Sequence, residues 1–172
     1  MEPILKKLDN VQLTLEYISN PAYPIIVANV GPAGSGKSTY SCELVNSNLN
    51  LVIVNRDDIR AMLFGFTKPH DHAVYYVQKG LGNREKVVSA VQNNIIRAAL
   101  LSGKSVIVDS TNLKMQYINN LRQFGYPIEL VIHNTTLEEC IERDSKRDRV
   151  VGADIIKAQY KDFLNIRKLL GV

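Results

Sequence analysis

One eight-residue stretch, Gly31-Pro32-Ala33-Gly34-Ser35-Gly36-Lys37-Ser38, constrains this chain more than any other, and Thr39 extends it. It follows the pattern G-x-x-x-x-G-K-[ST], which needs glycines so that the loop can wrap closely around phosphates with its backbone N–H groups pointing inward. Lys37 supplies a mobile positive charge to the β- and γ-phosphates, and the Ser38 hydroxyl is a ligand for Mg²⁺. The helix expected to begin here adds its N-terminal dipole. A buried apolar run precedes the loop and a helical segment follows it. This context predicts a nucleoside triphosphate site built from Gly31, Gly34, Ser35, Gly36, Lys37, Ser38 and Thr39.

The strand-loop-helix order repeats along the chain. Four short β-branched runs stand out: Ile25 to Val30, Leu51 to Val54, Ser105 to Val108, and Ile128 to Ile132. They are continuous rather than alternating, as suits strands buried on both faces of a parallel sheet. Helical segments lie between and after them, over Ser38–Asn46, Arg84–Leu101, Met115–Phe124 and Leu137–Arg147. This order predicts a doubly wound α/β domain with right-handed crossovers. Residues 1–20 carry Ile4, Leu5, Leu8, Val11 and Leu15 in an amphipathic pattern that ends at Ser19-Asn20-Pro21. An N-terminal helical extension is expected there.

Composition adds limits. The chain has 172 residues, 45% of them hydrophobic and 22% charged, so one domain over 1–172 is expected and disorder is excluded. No apolar run approaches the roughly 20 residues of a membrane-spanning helix. The start of the chain lacks the pattern of a signal peptide. Cys42 and Cys140 show no metal spacing and read as reduced thiols, so a cytoplasmic location is expected. The net charge of +4 is a mild hint of a polyanionic partner.

In an open α/β sheet, ligands bind beyond the carboxyl ends of the strands, and three further runs end in polar residues. After the second comes Asn55-Arg56-Asp57-Asp58-Ile59-Arg60. Asp57 and Asp58 are candidates for a base that accepts a hydroxyl proton, or for the N-cap of the next helix. Arg60 is a phosphate clamp or a solvated helical arginine. Asp109 ends the third run, as the acidic residue of a Walker B motif does, where it holds Mg²⁺ directly or through water. Its alternative role is to start a turn. Arg143 and Arg147 share one helix face and reach a triphosphate together, or form a surface ladder with Glu139.

Taken with those elements, the sequence resembles the kinase domain of the phage polynucleotide 5′-hydroxyl kinases, within the P-loop kinases. The resemblance covers most of residues 25–170. It is carried by Gly34-Ser35-Gly36-Lys37-Ser38-Thr39, Asn55-Arg56-Asp57-Asp58-Ile59-Arg60, Thr111-Asn112-Leu113, Arg143-Asp144-Ser145-Lys146-Arg147 and Gln159-Tyr160-Lys161. It implies a three-layer fold with a central, mostly parallel four-stranded sheet and an arginine-bearing lid helix. It also implies ATP or another nucleoside triphosphate as donor, with Mg²⁺, and a DNA or RNA 5′-hydroxyl end as acceptor. Asp57 would be the general base and Arg60 would hold the acceptor's 3′-phosphate. Arg147 would bridge the transferring phosphates, with Arg143 near the donor base.

Two departures limit the carry-over. Ser110 stands where the family has an acidic residue before Thr-Asn, so Asp109 rests on the strand-end argument alone. The spacing after Arg147 is about one residue shorter, so contacts near Val151 are not transferred. The chain is expected to lack an appended phosphatase domain, and it contains no DxDxT motif. The resemblance places the protein in nucleic acid repair and, if phage-encoded, in an infected bacterial host. A homo-oligomer is admitted.

The alternatives are a kinase of a small-molecule hydroxyl (a nucleoside, sugar or antibiotic) and a nucleotide-binding ATPase module. Residues 65–83 are a candidate acceptor contact, with Phe66, Tyr75 and Tyr76 stacking on bases and Lys68, His70, His72 and Lys79 on phosphates. Their alternative is that the tyrosines are core residues of a helix and the histidines lie at the surface.

Overall fold

The computed structural model describes residues 5–7, 23–47, 50–67, 71–77 and 80–172. Five parallel strands form one sheet: β1 (Leu5–Lys7), β2 (Ile26–Val30), β3 (Leu51–Asn55), β4 (Ser105–Asp109) and β5 (Ile128–Ile132). Their spatial order is β1-β5-β2-β4-β3. The four expected strands are present, and β1 joins them at the edge in register Leu5 with Ile128. At Leu5–Lys7 the helical extension expected over 1–20 is therefore replaced by strand, because this segment finds a ladder partner in β5. The rest of 1–20 lies outside the described residues.

The apolar runs are continuous because β2 and β4 are covered on both faces. Ile26, Ala28, Val30, Val106, Val108, Ile128 and Leu130 pack in one large core. This core is closed by α4 (Leu81–Leu101), α5 (Met115–Arg122) and α7 (Ala153–Leu170), through Val88, Ile96, Ile118, Phe163 and Ile166. The opposite face carries Val27, Ile107 and Val131 against Tyr40 and Leu44 of α1 (Lys37–Ser47). Helices on both faces of a parallel sheet make three layers, as expected. Burying each Ile, Leu or Phe side chain contributes about 1.5–3 kcal/mol, so this double coverage holds the sheet rigid beneath the loops.

The remaining helices are α2 (Arg56–Phe64), α3 (Asp71–Val77) and α6 (Leu137–Ser145). The helix α3 falls within 65–83, where a helix with core tyrosines is the alternative to an acceptor contact. The C-terminal helix α7 lies outside the segments that the sequence pattern marked as helical and starts after Gly152, whose φ of 100° a side chain rarely adopts.

From β2 the chain crosses to β3 on one side, returns to β4 between them, and then passes over to β5 on the other side of β2. That reversal opens a crevice at the carboxyl end of β2, where the glycine-rich loop emerges.

Candidate active site

The loop after β2 is tied down from three directions. Gly31 N donates to Thr111 O at 3.1 Å, Ala33 N to Gln159 Oε1 at 2.8 Å, and Thr135 Oγ1 to Ser35 O at 3.0 Å. Gly34 has φ 79°, and a Cβ there would lie 2.2 Å from the carbonyl oxygen of Cys140 on α6. Only glycine fits that approach. Gly36 has φ 94°, and a Cβ there would meet nothing nearer than Arg143 Nη1 at 3.9 Å.

Lys37 opens α1, is 8% exposed, and curls back to donate to Pro32 O at 2.5 Å and Ser35 Oγ at 3.3 Å. Burial lowers its ammonium to about 8, against the partial restoring pull of Asp109. A buried cation facing one carbonyl and one hydroxyl oxygen is poised to exchange them for phosphate oxygens.

Beneath the loop, buried Asn29 joins the strand ends. Its Nδ2 donates to Ser41 Oγ at 2.8 Å and more weakly to Asp109 Oδ1 at 3.4 Å, while its Oδ1 pairs with His133 Nε2 at 3.1 Å. That last contact requires the His133 tautomer with its proton on Nε2. Burial, then the nearby Lys37, lowers His133 to about 4, so the ring is neutral near pH 7. Asp109 is buried at the tip of β4 and accepts from Asn55 Nδ2 at 3.0 Å. Asn112, at φ 46°, donates from Nδ2 to Asn29 O at 2.8 Å and fixes the turn behind Asp109.

The β3 end supplies the second half of the site. Asn55, not an aspartate, caps α2: its Oδ1 accepts from Asp57 N at 2.7 Å. Both aspartate carboxylates are thereby left for other roles. Asp57 Oδ1 accepts from Arg60 Nη1 at 2.6 Å and Oδ2 from Arg149 Nη1 at 2.7 Å. Burial alone would raise the Asp57 carboxyl, but the Arg149 hydrogen bond and the charges of Arg149 and Arg60 hold it below 3.8. Burial, and then Asp57 and Asp109, raise Asp58 instead, so Asp57 is the more acidic of the pair.

Arg60 is 8% exposed and forks onto Glu85 of α4, Nε to Oε1 at 2.8 Å and Nη2 to Oε2 at 2.9 Å. Glu85 also accepts from Arg56 Nη2 at 2.6 Å and Tyr75 OH at 2.7 Å, and falls to about 2 chiefly through its Arg60 bonds.

The third part is the segment after α6. A capping box starts this helix, with Thr136 Oγ1 accepting from Glu139 N and Glu139 reaching back to Thr136 N. Asp144, 1% exposed, then accepts from Val151 N at 2.9 Å and Gly152 N at 2.9 Å. The segment 145–150 is thus closed into a loop that presents Arg147 and Arg149 to the site. Asp144→Ala should lower Tm by about 2–10 °C through the orphaned N–H groups and loosen nucleotide binding. Calorimetry with and without a nucleotide measures both, and unchanged values would show that the carboxylate does not hold the loop.

Asp57, Arg60, Arg149, Asp109, Lys37, Ser38 and Arg147 all line one cleft of about 1070 Å³. A smaller cavity of about 400 Å³ adjoins it, lined by Gly34, Gly36, Thr39, Tyr40, Glu43, Arg143 and Arg147. Arg147 borders both. Arg143 faces Glu139 at 3.8 Å with both half exposed, a pair that contributes little.

The AAA domain family matches residues 26–170. The chain belongs to that family. Solved structures give this AAA domain its fold relatives. A chain of the Pnkp1/Rnl/Hen1 RNA repair complex is 22% identical with a TM-score of 0.72, covering 87% of this chain and 47% of that one. A chain of a Pnkp1/Rnl/Hen1 complex is 26% identical with a TM-score of 0.58, covering 70% of this chain and 39% of that one. A gluconokinase from Sinorhizobium meliloti is 18% identical with a TM-score of 0.51, covering 81% and 75%. The chain spans about half or less of the length of the repair-complex chains. The fold is that of a P-loop kinase.

The family implies a nucleoside triphosphate and Mg²⁺. The donor set fits both: glycines lining the two cavities, a buried ammonium, and the Ser38 hydroxyl and Asp109 carboxylate in one cleft. Among the described residues no cluster of three metal-binding side chains is present. Ser38 and Asp109, which line the same cleft, are the side chains that could hold an ion beside the phosphates. No described helix is long and apolar enough to cross a membrane.

Sequence reading missed Arg149, Glu85, Arg56, Asn29 and Gln159 as site residues. Arg149 stands two residues after Arg147 in the sequence, but only the loop closed by Asp144 turns it toward Asp57. Within 65–83, Tyr75 is core at 1% exposure, while Tyr76 is 46% exposed and lies under Arg60, 5.6 Å from ring centroid to guanidinium. Phe66 packs edge-on against His72 and Tyr75. Lys68, His70 and Lys79 lie outside the described residues.

Proposed function

We propose that this domain transfers the terminal phosphoryl group of ATP or another nucleoside triphosphate to the 5′-hydroxyl of a DNA or RNA end. One observation carries the reading. An ionised aspartate, held on both oxygens by arginines, stands in the same open cleft as the phosphate cradle.

In this reading Asp57 takes the proton of the acceptor hydroxyl as its oxygen bonds to the γ-phosphorus. The bond from that phosphorus to the β,γ-bridging oxygen breaks, and the nucleoside diphosphate leaves with the electron pair. Lys37 and Arg147 neutralise charge on the phosphates, and Arg143 lies by the small cavity that would receive the donor nucleoside. When bound, Mg²⁺ would add further charge neutralisation, held by Ser38 and Asp109. The breadth of the cleft favours a polymer end over a small metabolite, and the likeness to repair-complex chains points the same way.

The test is phosphoryl transfer from labelled ATP to 5′-hydroxyl DNA, RNA, a free nucleoside and gluconate. Label on the oligonucleotides, with kcat/KM falling steeply between 50 and 200 mM salt, is the expected result. Label on gluconate or another small alcohol alone, indifferent to salt, would instead establish a small-molecule kinase.

A further inference from the structure

We infer that Asn55 is a positioning residue which sets, through one carboxamide, the spacing of two acids of the cleft, Asp57 and Asp109. The inference rests on the proposed roles of those acids and holds whichever hydroxyl is the acceptor. Asn55 ends β3 and stands in register with Asp109, which ends the neighbouring strand β4. Register partners on adjacent strands project to the same side of the sheet, so the pairing itself brings the two side chains together. Asn55 Nδ2 donates to Asp109 Oδ2 at 3.0 Å. At its other end, Oδ1 accepts from Asp57 N at 2.7 Å and caps α2. One planar amide thus spans the gap between the strand that carries one acid and the helix that carries the other.

The residue type is what this post requires. An amide carries a donor and an acceptor on one rigid group. Aspartate and serine cap a helix about as well as asparagine does. Ionised aspartate, however, has no proton to give Asp109, and the serine hydroxyl sits on a shorter side chain. The two acids are also held in contrasting ways. Asp57 meets arginines on both oxygens, which fix it and oppose its charge. Asp109 accepts from amides, Asn55 at Oδ2 and Asn29 more weakly at Oδ1, at 3.4 Å. Neutral donors aim a carboxylate without cancelling its charge, which suits an acid that must still attract a cation. Asp109 is 6% exposed, so water can do little to replace a missing donor.

The test is titration calorimetry of ATP binding, with and without Mg²⁺, in wild type, Asn55→Ser, Asn55→Thr, Asp109→Asn and the double variant Asn55→Ser/Asp109→Asn. Serine and threonine retain a helix cap and give up the amide. Binding without Mg²⁺ reports the Lys37 loop and should stay within a few-fold of wild type, which also shows that each variant is folded. The gain in affinity that Mg²⁺ gives wild type should shrink by about 10-fold in both Asn55 variants. Asp109→Asn should remove that gain, and the double variant should match Asp109→Asn. Single-turnover transfer is the second readout. Asn55→Ser should lower kcat by about 10- to 100-fold with the acceptor KM unchanged, and Asn55→Ala, which frees Asp57 as well, should lower it further.

A Mg²⁺ gain kept in both Asn55 variants but lost in Asp109→Asn overturns the inference and leaves both acids in their roles. So does a kcat penalty for Asn55→Ser that is as large in Asp109→Asn as in wild type, because the residue would then act through the helix cap alone. Loss of Mg²⁺-free binding in both Asn55 variants would make Asn55 a folding element and overturn it too. A gain unaffected by Asp109→Asn removes Asp109 from the donor side, and this inference with it. Failure to phosphorylate any oligonucleotide, with the binding differences intact, would instead bring down the proposed acceptor and spare Asn55.

Discussion

Replacing Asp57 by asparagine should reduce kcat by about 10²–10⁴-fold while nucleotide affinity stays within a few-fold of wild type. The substitution keeps the shape of the side chain, removes its capacity to take a proton and also gives up the charge that pairs with Arg60 and Arg149. Lys37 and the glycine loop are untouched, so the donor cradle should persist. Single-turnover transfer combined with nucleotide titration measures both quantities. Turnover within about fivefold of wild type would eliminate Asp57 as the base. The pH profile supplies a second check. Arg149 and Arg60 outweigh burial and keep the Asp57 carboxyl below 3.8 in the acceptor-free enzyme, the state that kcat/KM reports. The base is therefore ionised throughout the neutral range, and kcat/KM should show no acid limb from this residue above about pH 5. Asp57 also stabilises the fold only while ionised. That contribution is present above 3.8 and is lost as pH falls through the lower folded value.

Lys37→Met should lower transfer by a factor on the order of 10²–10³ or more and weaken nucleotide binding, because it deletes the one buried cation of the cradle loop. The pH behaviour of wild type makes this residue distinctive. Burial leaves Lys37 at about 8 in the free protein, so the charge is complete below that pH and fades above it. Bound phosphates would hold the proton on, so nucleotide affinity should fall as pH rises through about 8. Stability should move the opposite way. The unfolded chain has its lysine at 10.5, so between about 8 and 10.5 it binds a proton that the folded state lacks, and folding gains as pH rises. Measured as differences between wild type and Lys37→Met, affinity and Tm should show opposite slopes over that window. Parallel slopes, or flat ones, would mean that Lys37 is not the titrating group.

Residue patterns differ in how openly they announce themselves. The glycine loop was legible because its chemistry is local: phosphate wrapping, helix start and metal ligand all fall within eight consecutive residues. The four long strands were equally plain, since burial on both faces leaves an unbroken apolar run. Leu5–Lys7 was not, because a three-residue edge strand has too few positions to impose a period, and its partner at Ile128 is far away in sequence. Asp57 and Asp58 could not be separated from cap residues until Asn55 was seen to hold that post. Glu85 sits on a helix face that reads as an ordinary solvated turn, yet it braces Arg56 and Arg60 from 29 and 25 residues away.

The sequence alone determined one half of the cleft: a glycine-rich loop at Gly31–Ser38, a parallel α/β sheet behind it, and an acid at each of two strand ends. Those features follow from contiguous residues and from periodicity, which survive without a third dimension. The tertiary structure decided what surrounds Asp57. Which oxygen of Asp57 meets which arginine depends on β3, α4 and a loop closed by Asp144, elements whose meeting points are separated by up to 92 residues. The Gly31–Ser38 loop retains its place as the strongest constraint on the fold. The partners gathered around Asp57 depend on long-range packing, which no single stretch of the chain encodes.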